Sequence, residues 1–319
     1  MPNEAFLDRV LTMEVGRCTE AAAIAASTMI GRGDKEGADQ AAVTALREAL
    51  GKLEIDGTVV IGEGERDEAP MLYIGEKVGT GRGPKVDIAL DPLEGTDLTA
   101  KAMANALAVV AMAQGGTLLN APDVYMDKIA IGPGYPEGLV DLDAPHEDNI
   151  LALAKAKGVP AEEITLCVLD RPRHDGIIKA ARKVGARVFL IPDGDVAGVF
   201  HTTEPETGID MYLGRGGAPE GVLAAAALRC VGGQMQGRLH FRNDDERARA
   251  ERLGVQDLDR KYSLRELASG DVIFAATGVT NGTLLDGVRW DPKYVHTHTI
   301  VMRSKTGTIR YIRARTRRK

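Results

Sequence analysis

Segments typical of strands and helices alternate along the second half of the chain, and this order constrains the fold more than any other feature. Strand-like runs at 164–169 and 188–191 lie on either side of a helix predicted at 174–184, and a strand-like run at 211–213 precedes an Ala-rich helix at 219–230. Strand–helix–strand alternation packs helices against a sheet. We therefore predict an α/β fold of layered α+β character, with alternating layers of helix and sheet.

The first half of the chain begins with helices and continues with strands. Apolar residues at helical spacing predict helices over 4–30 and 38–53. Strands are expected at 58–61, 86–90, 107–111 and 124–131, and a helical stretch around 244–268 precedes strands near 272–276, 298–302 and 308–313. The charged stretch 145–158 separates the two regions, which predicts two domains, 1–155 and 156–319.

The composition excludes several classes of protein. No run of about 18 uncharged apolar residues is present, so we expect no membrane partner. The N-terminal residues lack the basic-then-apolar pattern of a secretory signal. Cys18, Cys167 and Cys230 fit no CxxC spacing, which favours buried free thiols and a cytoplasmic location.

Positive charge is concentrated at the C-terminus. Residues 303–319 hold eight of the 40 Lys and Arg residues and no acid, so 32 basic residues face 46 acidic ones elsewhere, a net charge of −14. A basic tail can bind nucleic acid, but neither a nucleic-acid motif nor an aromatic platform accompanies it. We expect a solvated strand end and no nucleic-acid partner, and the acidic remainder suits a metal site.

The central motif is the hexapeptide Asp91-Pro92-Leu93-Glu94-Gly95-Thr96, which directly follows the strand predicted at 86–90. Strand ends that open into loops are where α/β folds place their sites. Two carboxylates there repel each other unless a cation compensates, and hard divalent cations prefer oxygen ligands. The Thr96 hydroxyl could orient a water and the Gly95 and Thr96 amides could hold phosphate. A simple capping turn is the alternative interpretation.

Two further acidic stretches support a functional site to different degrees. The stretch 62–68 alternates glycines and acids after a strand, which suits a loop that directs carboxylates into a cleft better than a solvated helix. In the stretch 31–39 ordinary helix capping is the stronger interpretation.

The second half carries candidate phosphate and sugar contacts. Arg171-Pro172-Arg173 joins a strand to a helix, where guanidinium groups and free backbone amides can bind phosphate. Asp193-Gly194-Asp195 could accept hydrogen bonds from sugar hydroxyls, although an Asp-Gly turn is the simpler explanation. Glu220 is favoured by the helix dipole alone. His174 and His146 are expected at the surface, and the pair His296 and His298 lacks further metal ligands.

Taken in order, these motifs resemble the bacterial class II fructose-1,6-bisphosphatases. The hexapeptide matches the Asp-Pro-(Ile/Leu)-(Asp/Glu)-Gly-(Ser/Thr) signature of the lithium-sensitive, metal-dependent phosphatases, which include the inositol monophosphatases and the fructose-1,6-bisphosphatases. The resemblance runs from about residue 10 to 313, with matching segments at 31–39, 61–73, 120–125, 171–175, 191–195 and 216–221. It implies the two-domain sugar-phosphatase fold, two or more Mn²⁺ or Mg²⁺ ions, and a homo-oligomer, either dimer or tetramer.

The resemblance also implies roles for individual residues. The metal ligands it implies are the carboxylates Asp39, Glu63, Asp91, Glu94 and Glu220, together with the Leu93 carbonyl. The catalytic groups it implies are Asp67, Glu63 and Thr96. The substrate contacts it implies are Glu94, Gly95, Thr96, Tyr125, Arg171, Pro172, Arg173, Asp193, Gly194, Asp195 and Gly217.

The implied activity is hydrolysis of the 1-phosphate of fructose 1,6-bisphosphate to give fructose 6-phosphate, a step of gluconeogenesis. The sequence leaves open a sedoheptulose-1,7-bisphosphatase or a dual-specificity sugar bisphosphatase. An inositol monophosphatase is less favoured because a second phosphate-binding site is predicted. A non-catalytic metal- or phosphate-binding regulator is the alternative from another class.

Overall fold

The structure is a computed structural model that describes residues 9–64 and 71–318. Within these residues the chain forms nine α-helices and fourteen β-strands, alongside short 3₁₀ turns. The helices are α1 Arg9–Ser27, α2 Lys35–Leu50, α3 Thr96–Ala100, α4 His146–Lys157, α5 Asp175–Lys183, α6 Asp195–Phe200, α7 Ala218–Val231, α8 Asp244–Arg252 and α9 Leu264–Leu267. The strands are β1 Asp56–Ile61, β2 Lys77–Val78, β3 Lys85–Glu94, β4 Leu107–Gln114, β5 Tyr125–Ile131, β6 Thr165–Leu169, β7 Arg187–Ile191, β8 Met211–Gly217, β9 Gln234–His240, β10 Lys261–Ser263, β11 Val272–Gly278, β12 Arg289–Trp290, β13 Tyr294–Arg303 and β14 Thr308–Arg317.

The chain divides into two compact units, and the first is built from both ends of the sequence. It comprises residues 1–119 and 269–319. Its sheet has the order β12-β13-β11-β4-β3-β1-β2, with β14 paired to β13. Only β1 and β3 run parallel among the described pairs of this sheet. Helix α1 packs on β4, β11 and β13 and against α2, because its small residues allow close approach.

The second unit, residues 120–268, has its own sheet and its own core. The strand order is β10-β9-β5-β8-β6-β7, with β6 parallel to both β7 and β8. Helix α4 packs against α5, and α6 packs against α7. The alternation of strands and helices predicted for 164–230 is confirmed, and so is the α/β class.

The units differ from the division predicted at residue 155. Strand β11 pairs with β4, so the described residues 269–318 join the first unit rather than the second. The charged stretch 145–158 is helix α4, with Ile150 and Leu153 buried. Pro145 precedes this helix, and Gly158 ends it in the left-handed conformation that glycine tolerates. The stretch lies inside the second unit, residues 120–268.

The stretch 244–268 was predicted as one helical region, and that prediction is wrong in part. Helix α8 ends before Gly254, whose φ of 93° interrupts the helix, and the short strand β10 follows. Ser263 and Glu266 then form a capping box that begins α9. The basic C-terminus is the predicted strand, extended to Arg317, and most of its residues are exposed. None of the helices in the described ranges is long and apolar enough to cross a bilayer.

Candidate functional site

Two neighbouring parallel strands bring acidic residues to one edge of the first unit's sheet. Strand β1 pairs with β3 in a register that places Ile61 beside Ala89. Glu63 lies two residues beyond Ile61, and Asp91 lies two residues beyond Ala89. Adjacent strands are about 4.8 Å apart; Glu63 follows the last residue of β1, and Asp91 lies near the carboxyl end of the neighbouring strand β3.

The hexapeptide forms an irregularity at the end of β3. The pairing of β3 with β4 shifts register between Asp91 and Glu94, so Pro92 and Leu93 bulge out of the ladder. Bulges re-aim side chains next to sites. The Asp91 carboxylate accepts a hydrogen bond from the Leu93 amide at 3.1 Å, and the Glu94 side chain is 3% exposed. Gly95 then adopts a φ of 92°, which only glycine takes at low cost, and Thr96 begins α3.

The side chains of Asp39 and Glu63 are in contact. Asp39 lies in the second turn of α2, and its carboxyl group shares a hydrogen bond with the Glu63 side chain. Burial raises the pKa of Asp39, and the Glu63 hydrogen bond opposes this effect. Two acids in contact at a half-buried position need a shared proton or a cation, so this pair suits a divalent ion.

Asp34 has a separate role from Asp39. Its carboxylate accepts a hydrogen bond from the Gly37 amide at 2.8 Å, which makes Asp34 the N-cap of α2. The capping interpretation of the stretch 31–39 therefore holds for Asp34, while Asp39 lies beyond the cap beside Glu63.

Backbone bonds fix both ends of the loop that follows β1. The Glu63 amide donates to the Leu72 carbonyl at 3.1 Å, and the Ile74 amide donates to the Gly64 carbonyl at 2.9 Å. The buried Glu76 carboxylate accepts hydrogen bonds from the Leu72 amide and from Arg47 Nε. Asp67, a predicted catalytic residue, lies outside the described residues.

The five predicted metal ligands are only partly brought together. Asp39 and Glu63 are in contact, and Asp91 and Glu94 flank the bulge of β3. Glu220 belongs to the other unit. Across residues 9–64 and 71–318, no group of three or more His, Cys, Asp or Glu side chains is gathered closely enough to hold an ion.

In the second unit, Tyr125 and Arg173 come together. Tyr125 begins β5 and pairs with Gly217 on β8. The Arg173 guanidinium carbon lies 4.9 Å from the centre of the Tyr125 ring, and its Nε and Nη2 donate to the Arg215 carbonyl at 3.1 and 2.8 Å. Three of the predicted substrate contacts thus share one end of the sheet.

His174 was expected at the surface, and this prediction is wrong. The side chain is 1% exposed. Its Nδ1 donates to the Leu169 carbonyl at 2.7 Å, and its Nε2 accepts from the Arg215 amide at 2.8 Å. Burial lowers the pKa of His174, consistent with a neutral ring in one tautomer. His174 thereby links the Arg171–Arg173 turn to strand β8.

Two further basic residues of the second unit, Arg215 and Arg242, were not predicted as site residues. Arg215 makes a two-point ion pair with Asp127, with N···O distances of 2.7 and 3.1 Å, and its Nη1 lies 2.8 Å from His240 Nε2. The Arg242 guanidinium carbon lies 5.3 Å from the centre of the Tyr125 ring. The sequence signal available was the charged residue Asp127 inside the strand predicted at 124–131.

Asp195 is hydrogen-bonded to the buried Lys128, and the charge of the same lysine acts on Glu220. Gly194 adopts a φ of 83° and Asp195 begins α6, with its side chain 6% exposed and hydrogen-bonded to Lys128 Nζ. Burial of the carboxyl group and the charge of Asp195 raise the pKa of Glu220 to about 7, while the Lys128 charge lowers it.

Arg171, a further predicted substrate contact, donates a hydrogen bond to the carbonyl of its neighbour Asp170 at 2.9 Å.

Each of the two units carries its own group of charged side chains. The first has paired carboxylates at a strand end, and the second has arginines beside an aromatic ring and a carboxylate-rich turn. The chain belongs to the family described as "Bacterial fructose-1,6-bisphosphatase, glpX-encoded", whose profile matches residues 9–316.

Individual relatives agree with this assignment. The chain is 49% identical over 319 residues to "Fructose-1,6-bisphosphatase 1 class 2" of Escherichia coli strain K12, an alignment that covers 96% of this chain and 95% of the relative. The same identity and coverage are found with "Fructose-1,6-bisphosphatase class 2" of Escherichia coli O6:H1 and of Shigella flexneri.

Proposed function

We propose that this chain hydrolyses the 1-phosphate of fructose 1,6-bisphosphate to give fructose 6-phosphate and inorganic phosphate, a step of gluconeogenesis. The observation that carries this function is the 49% identity to class 2 fructose-1,6-bisphosphatases over 96% of the chain. The contact between Asp39 and Glu63, two of the acids the resemblance implies as ligands, gives it local support.

The reaction is metal-dependent, with the carboxylates of Asp39, Glu63, Asp91, Glu94 and Glu220 as ligands. The donor set fits a hard divalent cation, because every proposed side-chain ligand is a carboxylate and two of them already share a hydrogen bond. Two or more Mn²⁺ or Mg²⁺ ions would acidify water and offset the negative charge of the phosphate.

The chain's own groups orient the reactants. The Gly95 and Thr96 amides, at the left-handed turn that begins α3, hold the oxygens of the 1-phosphate. The Thr96 hydroxyl orients the attacking water, and Asp67 or Glu63 accepts its proton. Attack is in line with the leaving O1 of the sugar, so the phosphorus–O1 bond breaks as the new phosphorus–oxygen bond forms, and O1 takes up a proton to become the 1-hydroxyl of fructose 6-phosphate.

The second unit binds the sugar and its other phosphate. Arg171 and Arg173 hold the distal phosphate with guanidinium donors, and Pro172 fixes the turn between them. The ring of Tyr125, which Arg173 covers, provides a wall for the sugar. The remaining contacts are Asp193, Gly194, Asp195 and Gly217.

Three wider assignments form part of the same proposal. The chain shares the fold of the lithium-sensitive phosphatases and inositol monophosphatases, it assembles as a dimer or tetramer, and it acts in the cytoplasm. The first is tested by an experimental structure of the chain, and the second by light scattering of the purified protein.

Phosphate release from a panel of sugar phosphates tests the function. We expect turnover of fructose 1,6-bisphosphate that requires added Mn²⁺ or Mg²⁺ and stops with a chelator. Sedoheptulose 1,7-bisphosphate and inositol 1-phosphate are assayed in parallel to define specificity. Absence of phosphate release from every sugar bisphosphate with either ion would leave a non-catalytic binding protein and refute the proposal.

A further inference from the structure

Lys128 carries a charge in the interior of the second unit. It lies in the middle of β5, with neighbours β8 and β9 on either side, and its side chain is 1% exposed. An ammonium group removed from water is costly unless it is paired and hydrogen-bonded. A lysine is therefore retained here at a cost that an apolar residue would avoid.

The Lys128 ammonium joins two segments that are distant in sequence. Its Nζ donates to Oδ2 of Asp195, at the start of α6, and to the Gly217 carbonyl at 2.9 Å, at the end of β8. Asp195 is held from a second side by the Tyr212 hydroxyl at 3.4 Å. Both segments contain proposed substrate contacts, whereas Lys128 itself is not among them.

Three glycines leave the space that this arrangement needs. A Cβ atom at Gly216 would overlap Asp195 Oδ2 and lie 3.0 Å from Lys128 Nζ. A Cβ at Gly221, on α7, would lie 3.3 Å from Lys128 Cδ, and one at Gly217 would overlap the Glu220 carboxylate. The absence of side chains around the ammonium lets β8 and α7 approach it closely.

We propose that Lys128 is a positioning residue, which fixes the Asp193–Asp195 turn against the Gly217–Glu220 segment so that both present their groups to the substrate. This inference rests on the proposed function, because the two segments matter for binding only if the chain is a sugar bisphosphatase. Lys128 acts through Asp195 and the Gly217 carbonyl and makes no contact with the reacting phosphate.

The test compares Lys128→Met, which keeps the length of the side chain and removes the charge, with the control Lys261→Met. Lys261 is also paired in the second unit, through Nζ contacts of 2.6 to 2.8 Å to Asp141 and Asp143. Steady-state phosphate release is measured with Mn²⁺ well below each variant's Tm. We expect Lys128→Met to raise the KM for fructose 1,6-bisphosphate at least tenfold, while Lys261→Met keeps the wild-type KM.

Separate measurement of KM and kcat distinguishes a positioning role of Lys128 from a purely structural one. A lysine that only stabilises the fold would lower the active fraction, and therefore the apparent kcat, without changing KM. An unchanged KM in folded Lys128→Met overturns the proposal. Inactive wild-type protein would instead overturn the proposed function, so the two failures are distinguishable.

A second variant covers the case in which Lys128→Met does not fold. Gly216→Ala disturbs the Lys128–Asp195 bond without altering either residue, and Gly176→Ala is its control, because a Cβ at Gly176 meets no atom within 4 Å. Gly216→Ala is expected to raise KM at least tenfold and Gly176→Ala to leave it unchanged. If neither Lys128→Met nor Gly216→Ala folds, Lys128 serves folding and the proposal is overturned.

Discussion

Replacing His174 by Phe is expected both to destabilise the second unit and to loosen the Arg171–Arg173 turn, which we propose binds substrate. The side chain is 1% exposed, so the phenyl ring fills the same space. It provides neither hydrogen bond: the Leu169 carbonyl loses its donor at 2.7 Å, and the Arg215 amide loses its acceptor at 2.8 Å.

The expected decrease in the free energy of unfolding follows from the loss of hydrogen bonds to these two backbone groups. Each buried group left without a partner costs about 1–3 kcal/mol, so the free energy of unfolding should fall by about 2–6 kcal/mol. The Arg173 guanidinium is bound to the carbonyl of the same Arg215 residue, so displacement of that residue should also raise the KM for the sugar bisphosphate.

Urea unfolding followed by circular dichroism measures the stability, and phosphate release measures KM. His146→Phe is the control, because His146 is a partly exposed residue at the start of α4 and its replacement should change the unfolding free energy by less than about 0.5 kcal/mol. An equally small change in the unfolding free energy for His174→Phe, with an unchanged m-value, would refute the conclusion that the buried His174 stabilises the unit through these two hydrogen bonds.

The remaining predictions address glycine, helix capping and pH. Gly217→Ala should lower kcat/KM at least tenfold with the fold intact by circular dichroism, because its Cβ would overlap the Glu220 carboxylate; wild-type kinetics would contradict this contact. Asp34→Ala should cost about 1 kcal/mol in urea unfolding as a lost N-cap and keep the activity, whereas Asp39→Asn should abolish phosphate release; equal activities would show that the two acids were assigned wrongly. Burial lowers the pKa of His201 from 6.5 to about 4, so the unfolded chain takes up more protons and stability falls as the pH drops from about 6.5 towards 4. Between pH 7 and 5 this group should account for about 2 kcal/mol, measured as the difference in urea stability between wild type and His201→Asn, and an equal loss in both proteins would exclude it.

Local features of the site were predictable from the sequence, because short-range chemistry determines them. The strand before Asp91, the turn at Gly95 and the helix after Gly217 each follow from apolar runs and punctuating glycines within a few residues. The resemblance selected Asp39, and the structure places this residue beside Glu63.

Long-range partners were not predictable in this way. Lys128 and Asp195 are 67 residues apart in sequence, and the paired strands β11 and β4 are separated by more than 150 residues. No local sequence pattern can therefore predict either contact. His174 was misjudged because a polar residue beside two arginines is typical of a surface, whereas backbone groups of two strands hold it inside. Helix α4 was taken for a boundary because its charged residues obscured the apolar positions that are buried.

The acids at the end of β3 are central to the proposed metal-dependent hydrolysis of a sugar bisphosphate. The most direct measurement is phosphate release from fructose 1,6-bisphosphate by wild type, Asp91→Asn and the control Asp97→Asn across a Mn²⁺ titration. Asp97 is exposed on α3 and paired with Lys101 at 3.1 Å, so its replacement should preserve turnover. We expect Mn²⁺-dependent release by wild type and Asp97→Asn, and none by folded Asp91→Asn; near-normal release by Asp91→Asn would contradict the account.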